Sequence, residues 1–132
     1  MWRILTVDDD EGVRRMISLA GKKAGYDVVE ASDGVEGLAK AHSLAPNLIV
    51  LDISMPKLDG RDVLRELRAN PTTRALPVVM FTSRDTHLDR IAGLKLGADD
   101  YVEKPFDVIE LFRVIERRLR KASEPGTGGE GA

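Results

Sequence analysis

Five short apolar runs divide the chain, and each gives way abruptly to polar residues. Trp2 to Val7 stops at Asp8-Asp9-Asp10, Tyr26 to Ala31 at Ser32-Asp33-Gly34, and Leu48 to Leu51 at Asp52. Pro77 to Phe81 stops at Thr82-Ser83, and Ala98 to Val102 at Glu103-Lys104. Apolar runs of this length bounded by turn signals predict strands buried on both faces. Between them the apolar positions change to helical spacing. Val13, Met16, Ile17, Ala20 and Ala24 predict a first helix from Glu11 to Lys23, stopped at Gly25. Val35, Leu38, Ala39 and His42 mark the inner stripe of a second, ended by Ala45-Pro46. Val63, Leu64 and Leu67 predict a third, capped by Asp59. Leu88, Ile91, Ala92 and Lys95 predict a fourth, closed by Gly97. Leu111, Phe112, Ile115 and Leu119 predict a fifth from Val108 to about Lys121.

Strict alternation of strand and helix predicts an α/β fold, a parallel sheet covered on both faces and connected by right-handed crossovers. Of the doubly wound arrangements, the flavodoxin-like order 2-1-3-4-5 suits five strands flanked by five helices. That order makes the first and third strands neighbours at the switch point, where open α/β sheets bind ligands. Asp8 and Asp9 would then stand beside Asp52. One domain is expected over residues 1–121, followed by a flexible Gly-rich tail or linker over residues 122–132.

Composition narrows the function classes. The 132 residues suffice for a single core. Lys and Arg number 20 against 22 Asp and Glu, a net charge of -2, which gives no electrostatic case for nucleic-acid or membrane binding. Cysteine is absent, so disulfides, thiolate metal sites and Cys nucleophiles are excluded. No apolar segment approaches the ~20 residues that span a bilayer. The expected compartment is the cytoplasm.

The polar residues at the strand ends then acquire a joint meaning. Like-charged carboxylates held together raise one another's pKa and call for a compensating cation. An oxygen-only donor set selects a hard ion such as Mg²⁺. The bland account of Asp8-Asp9-Asp10-Glu11 is that acid complements the positive end of the first helix. We prefer it for Asp10 and Glu11 but not for Asp8 and Asp9. Thr82 and Ser83 after the fourth strand and Lys104 after the fifth offer a hydroxyl, a small residue with an accessible N–H, and an ammonium, all suited to phosphoryl oxygens. Taken singly, a strand-end threonine or a lysine is ordinary. Together with the acids they suggest aspartyl-phosphate chemistry, with Asp52 as a carboxylate nucleophile that needs no general base.

On these motifs the chain resembles the receiver domain of two-component response regulators, of the chemotaxis-regulator type, over roughly Arg3 to Arg120. They are Ile4-Leu5-Thr6-Val7-Asp8-Asp9-Asp10, Leu51-Asp52-Ile53-Ser54-Met55-Pro56, Asp59-Gly60, Phe81-Thr82-Ser83, Gly97-Ala98-Asp99-Asp100-Tyr101 and Lys104-Pro105-Phe106. The resemblance implies that Asp52 takes a phosphoryl group from a sensor histidine kinase, a phosphotransfer protein or a small acyl phosphate. It implies that Asp9 and Asp52 bind Mg²⁺ (or Mn²⁺) directly, joined by the Ser54 backbone carbonyl, with Asp8 acting mainly through water. Lys104, Thr82 and Ser83 would meet the phosphoryl oxygens, and the Lys104-Pro105 bond is commonly cis in the family. Thr82 and Tyr101 match the family's switch pair, which would alter the face made by the fourth helix, fifth strand and fifth helix and so control an output domain or effector. Ser54 and Arg84 occupy the positions that tune phosphate lifetime, and they push in opposite directions. A phosphorylation-dependent dimer is compatible with this scheme. The protein would be a phosphoacceptor rather than a turnover enzyme, with no direct nucleic-acid contact from this domain.

Other functions make different demands. A flavodoxin-like cofactor protein needs a Ser/Thr/Gly-rich phosphate loop after the first strand, where this chain is acidic. An aspartyl-phosphate phosphatase needs a cap domain for which there is no room, although Asp10 has the spacing of its general acid. A receiver that signals without phosphate would not need Asp9, Asp52 and Lys104, all of which are present.

Overall fold

The computed structural model describes residues 1–82 and 97–123. Five parallel strands form one sheet: β1 (Arg3–Val7), β2 (Asp27–Ala31), β3 (Leu48–Asp52), β4 (Val78–Thr82) and β5 (Asp100–Glu103). Their order is β2-β1-β3-β4-β5, as expected. The described helices are α1 (Glu11–Lys23), α2 (Gly34–Leu44), α3 (Gly60–Ala69) and the C-terminal α4 (Val108–Ser123). The helix expected around Leu88 to Lys95 lies outside the described residues, as do Ser83, Arg84 and most of the tail. The last helix runs two residues past the expected Lys121. The fifth strand is displaced toward Glu103, because Gly97, at φ +98°, still belongs to the turn before it.

Alternation along each strand divides the core in two. Leu5, Val7, Ile49, Leu51, Val78 and Met80 face a cluster completed by Val63, Leu64 and Leu67 of α3 and Ala41 of α2. Ile4, Leu48, Val50, Val79 and Phe81 face the opposite cluster, with Ile17 of α1 and Leu111, Val114, Ile115 and Leu119 of α4. β3 and β4 are buried at every position, as their continuous apolar runs require.

Two helix faces differ from expectation. On α2 the buried residues are Gly34, Gly37 and Ala41, while Val35 is 62% exposed and Ala39 and His42 are exposed. On α1 they are Ile17, Ser18 and Gly21, while Met16 is 40% exposed and Ala24 is exposed. The cause is close approach. A Cβ at Gly37 would lie 2.9 Å from both methyl carbons of Val7, and one at Gly34 would lie 2.6 Å from the Leu58 carbonyl oxygen. Small residues let the helix axes sit close to their neighbours, so these faces are chosen by lack of bulk and not by hydrophobicity.

Aspartates start three helices. Asp10 accepts from Val13 N–H, Asp33 from Glu36 N–H, and Asp59 from Arg61 and Asp62 N–H. Asp10 therefore serves the first helix, as the sequence suggested, and does so as its N-cap acceptor. Among the described residues, no helix is long and apolar enough to cross a membrane.

Among the described residues, β1 carries a hydroxyl that is buried and unmatched. Thr6 on β1 is fully buried, and its Oγ1 has no hydrogen-bond partner. Burying a hydroxyl without a partner costs roughly 1–3 kcal/mol. Thr6→Val keeps the branched shape and removes the desolvated group. Urea unfolding should therefore show Thr6→Val at least as stable as the parent, with a gain of up to about 1–2 kcal/mol. A clear loss of stability would mean the hydroxyl is satisfied in solution.

Candidate functional site

Strand register brings the acids together. Val7 pairs with Leu51 across β1 and β3, so Asp8 and Asp52, the next residues, stand side by side at the carboxyl edge. Each shares the parity of residues that face α1 and α4: Ile4 on β1, and Leu48 and Val50 on β3. The ladder continues past the strand ends. Asp8 N–H donates to the Ala31 carbonyl at 3.1 Å, Ile53 N–H to Phe81 at 3.2 Å, and Lys104 N–H to Thr82 at 2.6 Å. Backbone hydrogen bonds thus hold the residues just beyond three strands.

One carboxylate oxygen from each of Asp8, Asp9 and Asp52 lies within 4.8 Å of the others. Asp8 is fully buried, Asp52 is 6% exposed, and Asp9 is exposed. The Lys104 ammonium stands 3.0 Å from Asp8 Oδ2 and 3.4 Å from Asp52 Oδ2. It also lies 5.3 Å from the Phe81 ring centroid, and Phe81 stacks on Phe106 with centroids 4.6 Å apart. An aromatic floor therefore supports the cation. The Lys104-Pro105 peptide is cis, as the resemblance implied.

Among the described residues, further donors come from the backbone: Asp10 N–H reaches Asp8 Oδ1 at 2.9 Å, and Ser54 N–H reaches Asp52 Oδ1 at 3.3 Å. Ser54 itself is exposed at the mouth of the site. Gly60 starts α3 against the backbone of the central acid. Its N–H donates to the Ile53 carbonyl at 2.9 Å, and a Cβ there would collide with the Asp52 carbonyl oxygen. Only glycine fits.

Burial pushes the Asp52 carboxyl up to about 6; neighbouring Asp8 adds to the rise, and Lys104 partly offsets it. Burial alone would lower the Lys104 ammonium, but the Asp8 and Asp52 carboxylates outweigh it and raise the value.

Thr82 is buried at the end of β4 and shares the parity of Val78 and Met80. Tyr101 pairs with Met80 in register and packs on the same cluster, so it lies diagonally from Thr82 on one face. The Tyr101 hydroxyl is buried without a hydrogen-bond partner, and burial, with Asp99 nearby, pushes it up to about 12. The structure therefore gathers Asp8, Asp9, Asp52 and Lys104 into one cluster, while Thr82, at the carboxyl end of β4, and Tyr101 belong to the opposite face of the sheet. Sequence reasoning missed the aromatic pair Phe81 and Phe106 as a support for the lysine. The signal was available, since both flank motif residues.

The chain matches the family model described as "Response regulator receiver domain" over residues 4–116. It is 42% identical over 120 residues to the alkaline phosphatase synthesis transcriptional regulatory protein PhoP of Bacillus subtilis, covering 91% of this chain and 49% of that one. It is 44% identical over 121 residues to the DNA-binding dual master transcriptional regulator RpaA of Synechocystis, covering 92% and 50%. The chain thus spans about half the length of these relatives. Among solved structures it is similar to the receiver domain of Francisella response regulator 1452, at a TM-score of 0.86 and 32% identity, covering 93% of this chain and 100% of that one. It is similar also to the chemotaxis protein CheY4 of Vibrio cholerae, at 0.83 and 32%, covering 89% and 98%.

The raised Asp52 carboxyl gives a pH signature with a defined sign. Between the ordinary carboxylate value and about 6, the folded protein keeps a proton that the unfolded chain has lost. Stability therefore falls as pH rises through that window and stays lower above it. Asp52→Asn cannot ionise. In metal-free buffer at pH 7.5 it should unfold with roughly 1–3 kcal/mol more free energy than the parent, a gain that shrinks toward pH 4. Urea titrations at the two pH values check this, and a gain independent of pH would contradict the assignment.

Proposed function

Because the chain belongs to the response regulator receiver domain family, we propose that Asp52 is its phosphoacceptor and that the surrounding residues serve that single transfer. The observation that carries this is a buried strand-end carboxylate flanked by two more acids and faced by a lysine ammonium at 3.4 Å. The donor would be a phosphohistidine on a sensor histidine kinase or phosphotransfer protein, or a small acyl phosphate. An Asp52 oxygen attacks phosphorus in line. The O–P bond forms as the bond to the leaving imidazole or acyl oxygen breaks, and the leaving group departs with that electron pair. Asp52 is ionised above about pH 6, so no base is required.

Three carboxylates within 4.8 Å, with one ammonium against two of them among the described residues, make a donor set suited to a hard divalent cation. Asp9 and Asp52 would hold Mg²⁺ (or Mn²⁺) directly, joined by the Ser54 carbonyl, and Asp8 would act through water. Such an ion, when bound, neutralises charge on the transferring group. Lys104 would hold a phosphoryl oxygen on the opposite side, with Thr82 and Ser83 completing the set. Ser83 and Arg84 lie outside the described residues, and their roles rest on sequence position alone.

For the switch, Thr82 and Tyr101 are supported by their shared face and by the buried, unmatched Tyr101 hydroxyl. A ring held at that cost has reason to move when Thr82 does. The face of β5 and α4, together with the segment between Thr82 and Gly97, would present the change to an output domain or effector, or to a second copy. Since relatives of twice the length are named as transcriptional regulators, we read residues 1–121 as a receiver unit and residues 122–132 as linker or tail. DNA contact is left to a separate output. The protein is then a cytoplasmic phosphoacceptor with self-phosphorylating and self-dephosphorylating capacity, and not a turnover enzyme.

Incubation with acetyl phosphate and Mg²⁺ should add the mass of one phosphoryl group, and omission of the metal should abolish the gain. Asp52→Asn should gain nothing, and Asp9→Asn should lose Mg²⁺ binding by calorimetry. An adduct that persists in Asp52→Asn would sink the site assignment.

A further inference from the structure

A belt of alternating charges crosses the edge strand β2 beside the acidic loop. Arg14 on α1 is at its centre, with its side chain 15% exposed. Its Nη1 donates to the Asp8 carbonyl oxygen at 2.7 Å, and its Nε lies 3.3 Å from Glu30 Oε1. The Glu30 carbonyl in turn accepts from Lys40 Nζ at 2.6 Å. Lys40 pairs with Glu36 at 3.0 Å, and Glu36 accepts from the Ser32 N–H at 2.7 Å.

The carbonyl that Arg14 holds belongs to the Asp8–Asp9 peptide. A peptide group is planar, so fixing its oxygen fixes the tilt of the plane and the position of the Asp9 Cα. Asp8 is otherwise secured from inside the fold: its N–H by Ala31, its Oδ1 by Asp10 N–H, its Oδ2 by Lys104. Asp9 is exposed and has no such framework among the described residues. Among the described residues, Arg14 is the only side chain outside the loop that hydrogen-bonds the backbone of Asp8 to Asp10. Arginine suits the task because its rigid fork donates to a carbonyl while its charge stays paired with a carboxylate.

We propose that Arg14, braced by Glu30, is a positioning residue for the cation site, holding the Asp8–Asp9 peptide so that the Asp9 carboxylate faces Asp52. This rests on the metal reading given above. It makes a prediction of unusual sign. Arg14 carries positive charge near three acids, so simple Coulomb attraction says its removal should tighten Mg²⁺ binding. Positioning says that its removal should weaken it. A purely structural tie between α1 and β2 would lower stability and leave Mg²⁺ affinity alone.

The test is calorimetric titration of the full chain with MgCl₂ at fixed ionic strength, beside urea unfolding in EDTA. Arg14→Gln should weaken Mg²⁺ binding about tenfold, the scale seen when an outer-shell support is removed. Arg14→Lys keeps the charge and should weaken it too, because an ammonium cannot hold both partners; it carries the test should Arg14→Gln not fold. Adding Glu30→Gln to Arg14→Gln should cost little more than the worse single change. Unchanged or tighter Mg²⁺ binding in folded Arg14→Gln and Arg14→Lys overturns the proposal while leaving the metal reading intact. A parent chain that binds no Mg²⁺ overturns both.

Discussion

Three charges that cannot be separated govern this molecule: the carboxylates of Asp8 and Asp52 and the ammonium of Lys104. Two buried acids side by side repel, and desolvation makes the repulsion stronger than it would be in water. One lysine at 3.0 and 3.4 Å relieves part of it, yet Asp52 remains pushed up to about 6. Among the described residues, the edge of the sheet is therefore short of positive charge. Anything that brings cation to it, or that exchanges an anionic oxygen for a better-matched one, releases energy that the resting protein withholds. A site of this kind is poised to respond.

The rest of the fold keeps those charges where they are. Parity along β1 and β3 puts Asp8 and Asp52 on the same side, and the ladder beyond the strand ends fixes the backbone around them. Lys104 reaches across from the far strand with its ammonium over the ring of Phe81, which is itself stacked on Phe106. Gly60 allows α3 to begin directly against the Asp52 carbonyl, so a helix and not a mobile loop backs the central acid. Each device costs sequence freedom at a position that is neither acid nor base.

What could be read from sequence divides along a physical line. Strand positions, sheet order and the acids were legible because a continuous apolar run ending in charge fits few places other than a central parallel strand in a chain of this size. Helix caps were legible because Asp10, Asp33 and Asp59 sit where orphan N–H groups need acceptors. The inner faces of α1 and α2 were not. A hydrophobic stripe names the bulky residues, whereas Gly21, Gly34 and Gly37 are buried because their neighbours come too close for a side chain. Val35 and Met16, apolar and correctly spaced, face outward as a result. Long-range supports were hidden for a related reason. Arg14 looks like one more surface cation until its contact with the Asp8 carbonyl is seen.

Distance also limits how a change at Asp52 could leave the site. Charge compensation acts over a few ångströms, but the outer face of β5 is further away. The link must be something with two arrangements of similar energy. The proposed switch residue, Tyr101, is partly buried against one core cluster and carries a buried hydroxyl that no described neighbour satisfies. Its present position gains packing and forfeits a hydrogen bond, while an outward or shifted position would reverse the two. In the proposed switch, a change at Thr82 would choose between the two positions. In the switch proposed above, the electrostatic strain at the acids would store the response and the unmatched hydroxyl at Tyr101 would set its threshold.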